Sequence, residues 1–395
     1  MLQVSPVLPV DVCAQAAALS EKGWLTRLFT STAYAASAES PGLMNRWMGR
    51  RKVGVKPGEL HPVYLADISE RLRLLAGMSP VEAADCRFGR VDSVASRYVN
   101  ESLDAVLCRE DAAAHTFSRA GEHGVTRILD LPIAHFEFTR QLMAREVEMF
   151  PDLERSIFMS EEYSARRSSG KEKVLRSADQ ILCPSRFVKQ TLVAAGVASD
   201  KIHVHPFACD PGWLDKSTMG PANVVLSVGQ LSARKGVHRL LEVWKRLGAY
   251  RTHTLRLIGD MRLPDSYLRQ FKGLYEHVGK LPRKELISEY AAAKFFVANA
   301  MSEGMALVIP EAISAGTPVI ASRNSGAEEI ITHNEEGLLV DYGDDEALAV
   351  SIDRLLGSPD LLAQMRTKAA VKARSRTWGD YSLGFIKWLD SLLAE

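Results

Sequence analysis

The segment SEGMALVIPEAISAGTPVIAS, Ser302 to Ser322, is apolar along most of its length yet carries two acids, Glu303 and Glu311, with seven residues between them. A buried acid is costly unless it is paired or hydrogen-bonded. Carboxylates accept hydrogen bonds from hydroxyls, amides and cations, and a sugar or a ribose is an array of hydroxyl donors. Two acids one loop apart suit the two ends of a nucleotide-sugar. The amides of Gly304, Met305 and Ala306 would lie between them, ready for a diphosphate. Glu311 follows Pro310, which fits a first helical turn. It could therefore merely cap a helix, where a carboxylate is stabilised by ~0.3–1 kcal/mol. That reading leaves Glu303 unexplained.

A second segment, GQLSARKG from Gly229 to Gly236, follows a strand and opens a helix. It is neither a Walker loop nor GxGxxG, but it sets Arg234 and Lys235 just before a helix N-terminus, which is how a phosphate is held. The plain alternative is a basic surface turn. His203 and His205 share a strand face, yet no third ligand is evident for a metal, so packing histidines are expected there and no metal site is assigned. Cys183 has no adjacent base and reads as packing. In MNRWMGRRKVGVKPGELHP, residues 44–62, Arg46, Arg50, Arg51 and Lys52 gather positive charge around Trp47 with almost no acid. This is either a solvated loop or a patch that meets an anionic or lipid-linked partner.

These residues need elements to position them. Short apolar runs alternate with helical stretches: LQVSPV, LTRLFTST, TRILDLP, QILCPS and KIHVHPF as strands in the first half, VVLSV, TLRLIG, KFFVANA, TPVIAS and GLLVDY in the second. VHRLLEVWKRLG, RKELISEYAAA, EAISAG, GAEEIITH and DDEALAVSIDRLLGSP read as helices. Strand–helix–strand succession forces parallel sheets, and parallel sheets take ligands at the carboxyl ends of their strands. The rhythm breaks at ACDPGWLDKSTMGPAN, residues 208–223, which reads as a linker. The expected division is 1–210 and 211–378, two Rossmann-like α/β domains facing across a cleft.

The chain has 395 residues, enough for two domains. Its net charge of +1 gives no global pull toward nucleic acid. Five scattered cysteines without CxxC argue for a reducing compartment and against zinc. No run is long and apolar enough to span a membrane, and no signal peptide is apparent, so a cytoplasmic location is expected, with peripheral contact at the inner membrane face if the basic patch docks there.

The spacing of Glu303 and Glu311 resembles the E-x7-E pair of family 4 retaining glycosyltransferases, which have the GT-B fold. AGTPVIASRNSGAEEIITHNEEGLLVDYGDDEALAVSIDRLL, VGQLSARKGVHRLLEVW and SADQILCPSRFVKQTLVAAGVASDKIHVHPFACD are similar to that family's succession, and WGDY at 378–381 looks like its closing helix, about 379–395, which returns to the first domain. The likeness is strong from about Lys171 onward and thin over the first 130 residues, where this family holds its acceptor. The resemblance implies transfer of a sugar from a nucleotide diphosphate sugar to a saccharide or lipid-linked acceptor, without a metal or further cofactor. It assigns Glu311 to the donor ribose, Glu303 to the transferred sugar, Lys235 to the diphosphate, the backbone near Lys280 to the base, and His135 to the sugar. The family's arginine after the loop glycine is Gln230 here, and Arg234 is expected to replace it. A sugar-nucleotide epimerase of the same fold and a non-catalytic pseudo-glycosyltransferase acting as a binding protein are the alternatives; sugar, base and acceptor are not named by the sequence.

Overall fold

The computed structural model describes residues 1–31, 33–35, 51–157, 165–216 and 223–394. Among them, strands β1 (Leu2–Val4), β2 (Arg27–Thr30), β3 (Ala33–Ala35), β4 (Arg51–Val53), β5 (Leu60–Pro62), β6 (Ala105–Arg109), β7 (Thr126–Asp130), β8 (Gln180–Cys183) and β9 (Ile202–Val204) belong to the first half. Strands β10 (Val224–Val228), β11 (Thr254–Ile258), β12 (Glu276–Gly279), β13 (Phe295–Ala298), β14 (Val319–Ser322) and β15 (Gly337–Val340) belong to the second. The first sheet runs β5-β2-β1-β6-β7-β8-β9 and the second β12-β11-β10-β13-β14-β15, with β3-β4 a separate pair. Every pairing within both large sheets is parallel. The expected α/β architecture with two parallel sheets is what the chain adopts.

Why these runs become central strands is plain from burial. All four residues of β13, β14 and β15 are buried, so these largely apolar sequences are covered on both faces. The helix Val237–Leu247 buries Val237, Leu240, Leu241 and Trp244, the spacing of one helical face. Gly236 and Gly248 flank it in the left-handed region, with φ of 69° and 64°. Asp344 caps the helix Asp345–Gly357 through the Ala347 amide at 2.8 Å.

One expectation about an element is corrected, and the stretch read as a linker is described over its first half. GAEEIITH is not a helix. Gly326, at φ 71°, separates two 3₁₀ turns, and Ile330 leaves helical geometry at φ −130°, so the run buries its two isoleucines from a turn. The stretch read as a linker is packed over its first half: Pro211–Lys216 is a 3₁₀ helix and Trp213 is buried, its indole N–H donating to Asp210 at 3.1 Å.

The closing helix, Trp378–Leu393, starts in a capping box of Thr377 and Asp380 and crosses back to the first sheet. Phe385 and Leu389 join a core with Leu28, Leu107 and Ile128. His203 stacks on Trp388 at 4.5 Å between ring centres, and His205 donates from Nε2 to the Tyr381 carbonyl at 2.9 Å. Burial lowers both histidines to about 4, so both are neutral packing groups. Among the described residues, no helix is long and apolar enough to cross a membrane.

Candidate functional site

The loops after β7, β8, β10, β13 and β14 all leave carboxyl ends of strands, and they meet. Ser185, N-cap of the helix Arg186–Ala194, donates its hydroxyl to the Gly304 carbonyl at 2.5 Å. Thr139 and Ser302 share a hydroxyl hydrogen bond of 2.8 Å. Arg186 donates from its backbone amide to Glu329 at 2.8 Å and from Nε at 3.0 Å. A Cβ on Gly304 would fall 1.6 Å from the Pro132 carbonyl oxygen, so only glycine permits the loop after β13 to lie this close to the loop after β7.

Arg234, Lys235 and Glu303 come together here. The Arg234 Nη1 and Lys235 Nζ both reach Glu303 Oε1, at 2.5 and 2.8 Å. Burial opposes ionisation of Glu303, but the two cations outweigh it and hold its carboxyl below the ordinary range. The glutamate side chain is 13% exposed and the two cations 29% and 24%, so the cations retain a solvent-facing side. The loop carrying them is fixed from behind. The Arg234 carbonyl accepts from the Met301 amide at 2.8 Å, and Gly236 abuts the Asn299 carbonyl so closely that a Cβ would lie 1.7 Å from its oxygen.

Glu311 sits apart from this cluster, in the first turn of the helix Val308–Ser314. Its Oε2 accepts from the Tyr290 hydroxyl at 3.1 Å. Burial pushes its carboxyl up, with the Tyr290 bond and Arg283 opposing. It lines a cleft with Arg283, Trp213, Leu307, Ser314 and Trp378. The two glutamates thus occupy opposite electrostatic settings.

His135 is the N-cap of the helix Phe136–Met149, its Nδ1 accepting from the Glu137 amide at 3.3 Å. Burial lowers its pKa against the pull of Glu172 and Glu137, so the ring is neutral with its proton on Nε2. That nitrogen is buried, has no hydrogen-bond partner among the described residues, and lies 3.8 Å from Glu172 Oε2. His135 is therefore built as a hydrogen-bond donor rather than as a base. Thr139, one turn along the same helix, carries it toward Ser302.

The expectation for the intervening amides is corrected in part. The Ala306 amide donates to the Ser325 carbonyl at 2.9 Å, and Ala306 is buried, so it has no donor left for a phosphate. The Gly304 and Met305 amides have no backbone partner among the described residues. Lys280 follows the edge strand β12 and pairs with Asp260 at 2.6 Å, largely exposed; no contact among the described residues joins it to the Arg234–Lys235–Glu303 cluster. Arg46 and Arg50 lie outside the described residues, as does Trp47; Arg51 opens β4 and Lys52 is exposed on it. Tyr290, Ser302, Thr139 and Ser185 were not singled out for these contacts. Ser302 and Thr139 had a usable signal, flanking Glu303 and following His135 by one turn; Tyr290 had none.

Two cations before a helix N-terminus pair with an acid in the loop after β13, all at carboxyl ends of strands of the second sheet, and the loop after β13 meets those after β7 and β8 of the first. Residues 215–372 match the glycosyl transferases group 1 family. The amylovoran biosynthesis glycosyltransferase AmsK of Erwinia amylovora is 26% identical over 251 residues, 57% of this chain and 61% of that protein. The lipopolysaccharide core biosynthesis glycosyltransferase LpsE of Rhizobium meliloti is 32% identical over 179 residues, 44% of this chain and 50% of that one. An uncharacterized glycosyltransferase of Haemophilus influenzae is 30% identical over 150 residues, and there the chain spans 42% of the relative's length. The chain thus spans between 42% and 61% of the length of these three relatives. Over the full fold, sucrose-phosphate synthase of Thermosynechococcus elongatus superposes with a TM-score of 0.67 at 18% identity, covering 100% of this chain and 98% of that one. Anabaena HepE, solved with UDP-glucose, gives 0.62 at 16% identity with 99% of both chains covered. The fold is GT-B.

Proposed function

We propose that this protein is a retaining glycosyltransferase of the family 4 type. It would move a sugar from a nucleotide diphosphate sugar to a saccharide or lipid-linked acceptor in surface polysaccharide or glycoconjugate synthesis. The observation that carries the reading is the convergence of Arg234 and Lys235 on one side of Glu303, in a loop that opens a helix after β10. Departure of a nucleoside diphosphate builds negative charge, and cations fixed beforehand stabilise it without reorganising. The neutral Nε2–H of His135 suits a sugar oxygen, and Glu311 suits ribose hydroxyls. Support for the donor class comes from the relatives named for polysaccharide and lipopolysaccharide synthesis and from HepE, whose structures hold UDP and UDP-glucose.

Membrane contact on the acceptor side belongs to the same proposal, and one surface supports it. The helix Tyr64–Leu75 turns Leu65, Ile68, Leu72 and Leu75 outward, 65%, 43%, 61% and 85% exposed, at spacings that form one stripe. Its two acids face inward, Asp67 and Glu70 lying 3.7 and 3.0 Å from Arg87. The exposed cations Arg71 and Arg90 flank the stripe, Arg90 donating to the Leu65 carbonyl at 3.2 Å. An apolar stripe with a cationic border suits an anionic bilayer surface.

The test is product chemistry. A panel of nucleotide-sugars is screened for release of free nucleoside diphosphate in the presence of acceptor, and the product anomer is read by NMR with and without EDTA. Retained configuration and full activity in EDTA are expected. An inverted product would overturn the family 4 reading, and binding without diphosphate release would favour a non-catalytic protein.

A further inference from the structure

The helix Phe136–Met149 leaves the first sheet after β7, yet its far end is embedded in the core of the second half. Met143, with Leu153 and Ile157 beyond it, packs in one cluster with Val237, Leu240 and Leu241. At the centre of this contact lies Glu146, 1% exposed. It accepts from His238 Nε2 at 2.5 Å, from Arg239 Nε at 2.7 Å and Nη2 at 2.9 Å, and from the Tyr342 hydroxyl at 2.7 Å. Arg239 also reaches Asp345 at 2.8 Å and lies over the rings of Phe150 and Tyr342. A buried acid with four donors from the helix Val237–Leu247 and the loop after β15 fixes its own helix to both, because withdrawing any one donor leaves a buried charge short of partners.

The identity of the clamped residues is what gives the network a functional consequence. His238 and Arg239 stand in the first turn of the helix Val237–Leu247, three and four positions after Lys235. From the other side, the same loop is tied by the Met301 and Asn299 contacts, by the Glu303 ion pairs, and by Leu231, which exchanges backbone bonds with Asp260 and Arg262 at 2.8 and 2.9 Å. Glu146 also places negative charge at that helix's N-terminal turn, where an anion is favoured. At the opposite end of the Glu146 helix stands His135, so one rigid element joins the His135 donor to the loop of Arg234 and Lys235.

Taking that loop as diphosphate-facing, as in the proposed function, we propose that Glu146 is a positioning residue for it. It acts from the opposite half of the chain, so that preference for a diphosphate over a monophosphate depends on the docking of the helix Phe136–Met149. Glu146 touches no substrate in this scheme; it acts through His238 and Arg239.

The experiment measures binding of UDP, GDP and ADP, and of the matching monophosphates, to the full-length wild type, to Glu146→Gln, and to the milder Tyr342→Phe, with thermal melts alongside. Displacement of catalytic groups by about 1 Å can cost on the order of a hundredfold. Glu146→Gln is therefore expected to weaken the preferred diphosphate about tenfold or more while the monophosphate changes less than about twofold. Tyr342→Phe should move the same ratio in the same direction, by about threefold. A wild type that shows no diphosphate preference overturns the reading of the loop, and the role of Glu146 with it. A wild type with that preference and a Glu146→Gln protein that melts earlier but keeps the ratio overturns the role of Glu146 alone. If Glu146→Gln does not fold, an unchanged ratio in Tyr342→Phe overturns it.

Discussion

Glu311 separates stability from function at a single carboxylate. Replacing it with alanine removes the acceptor of the Tyr290 hydroxyl, and Tyr290 is fully buried. An orphaned buried donor costs roughly 1–3 kcal/mol, or about 2–10 °C of melting temperature for a domain of this size. Glu311→Gln keeps an acceptor oxygen for Tyr290 and removes a charge that burial disfavours, so it should melt at or above the wild type at pH 7. The sign follows from linkage. Burial raises the folded pKa of Glu311 above its ordinary 4.5, so its contribution to stability is full below that value and is lost as pH rises through the folded pKa. The advantage of glutamine should vanish near pH 4 and grow above it. Donor binding goes the other way. A charged hydrogen bond to a ribose hydroxyl contributes roughly 1.5–3 kcal/mol, so both variants should lose about ten- to a hundredfold in donor affinity. Calorimetric titration of donor and thermal melts from pH 4 to 8 read both effects. If Glu311→Gln melts well below the wild type at pH 7, or if Glu311→Ala binds donor normally, the assignment is wrong.

Lys235→Ala should weaken a nucleoside diphosphate by about tenfold or more and the monophosphate much less, because the lysine charge faces the outer phosphate in the proposed site; equal losses would place Lys235 elsewhere. For the membrane face, co-sedimentation with liposomes containing anionic lipid at low salt should retain the wild type and release Leu72→Ser/Leu75→Ser, and also Arg50→Ser/Arg51→Ser/Lys52→Ser if the basic stretch shares the contact. A wild type left in the supernatant refutes docking, and a concentration-dependent dimer would assign the stripe to a second copy.

What the sequence made legible was local. Strands such as FFVA and GLLV are apolar throughout and bounded by polar residues, so their existence and parallel pairing could be read. Arg234, Lys235 and Glu303 could be named because residue type alone restricts a cation pair before a helix and an acid after a strand. Their meeting at a single carboxylate oxygen could not, because they stand almost seventy positions apart. The helices Tyr64–Leu75 and Pro80–Ser96 went unread because the first displays its leucines to solvent, which blurs the usual apolar face, and the second has a glycine and a cysteine in its interior. The Glu146 network had no signal at all. Its members come from three regions of the chain, and each taken singly is an ordinary surface-type residue.

The two glutamates of the opening segment end in opposite conditions, and the difference bears on how a donor would be held. Glu311 is discouraged from ionising and satisfied by a phenol, so hydroxyl donors from a ribose add partners to a group that has spare acceptor capacity. Glu303 is already ionised by the two cations that a diphosphate would need. In the proposed site, a diphosphate arriving at Arg234 and Lys235 would have to share them with Glu303 or draw them outward. The cations' desolvation has been partly met by the glutamate before any donor arrives, and the loop is kept from collapsing or repelling itself. The same pairing caps the net gain from the diphosphate, since each new contact is made at the expense of an existing one. On that proposal, return of Arg234 and Lys235 to Glu303 after transfer would offset the loss of the departing nucleoside diphosphate. On the proposed function, Glu303 would thus have two electrostatic roles, as an acceptor for the transferred sugar and as the internal anion that makes product release less costly.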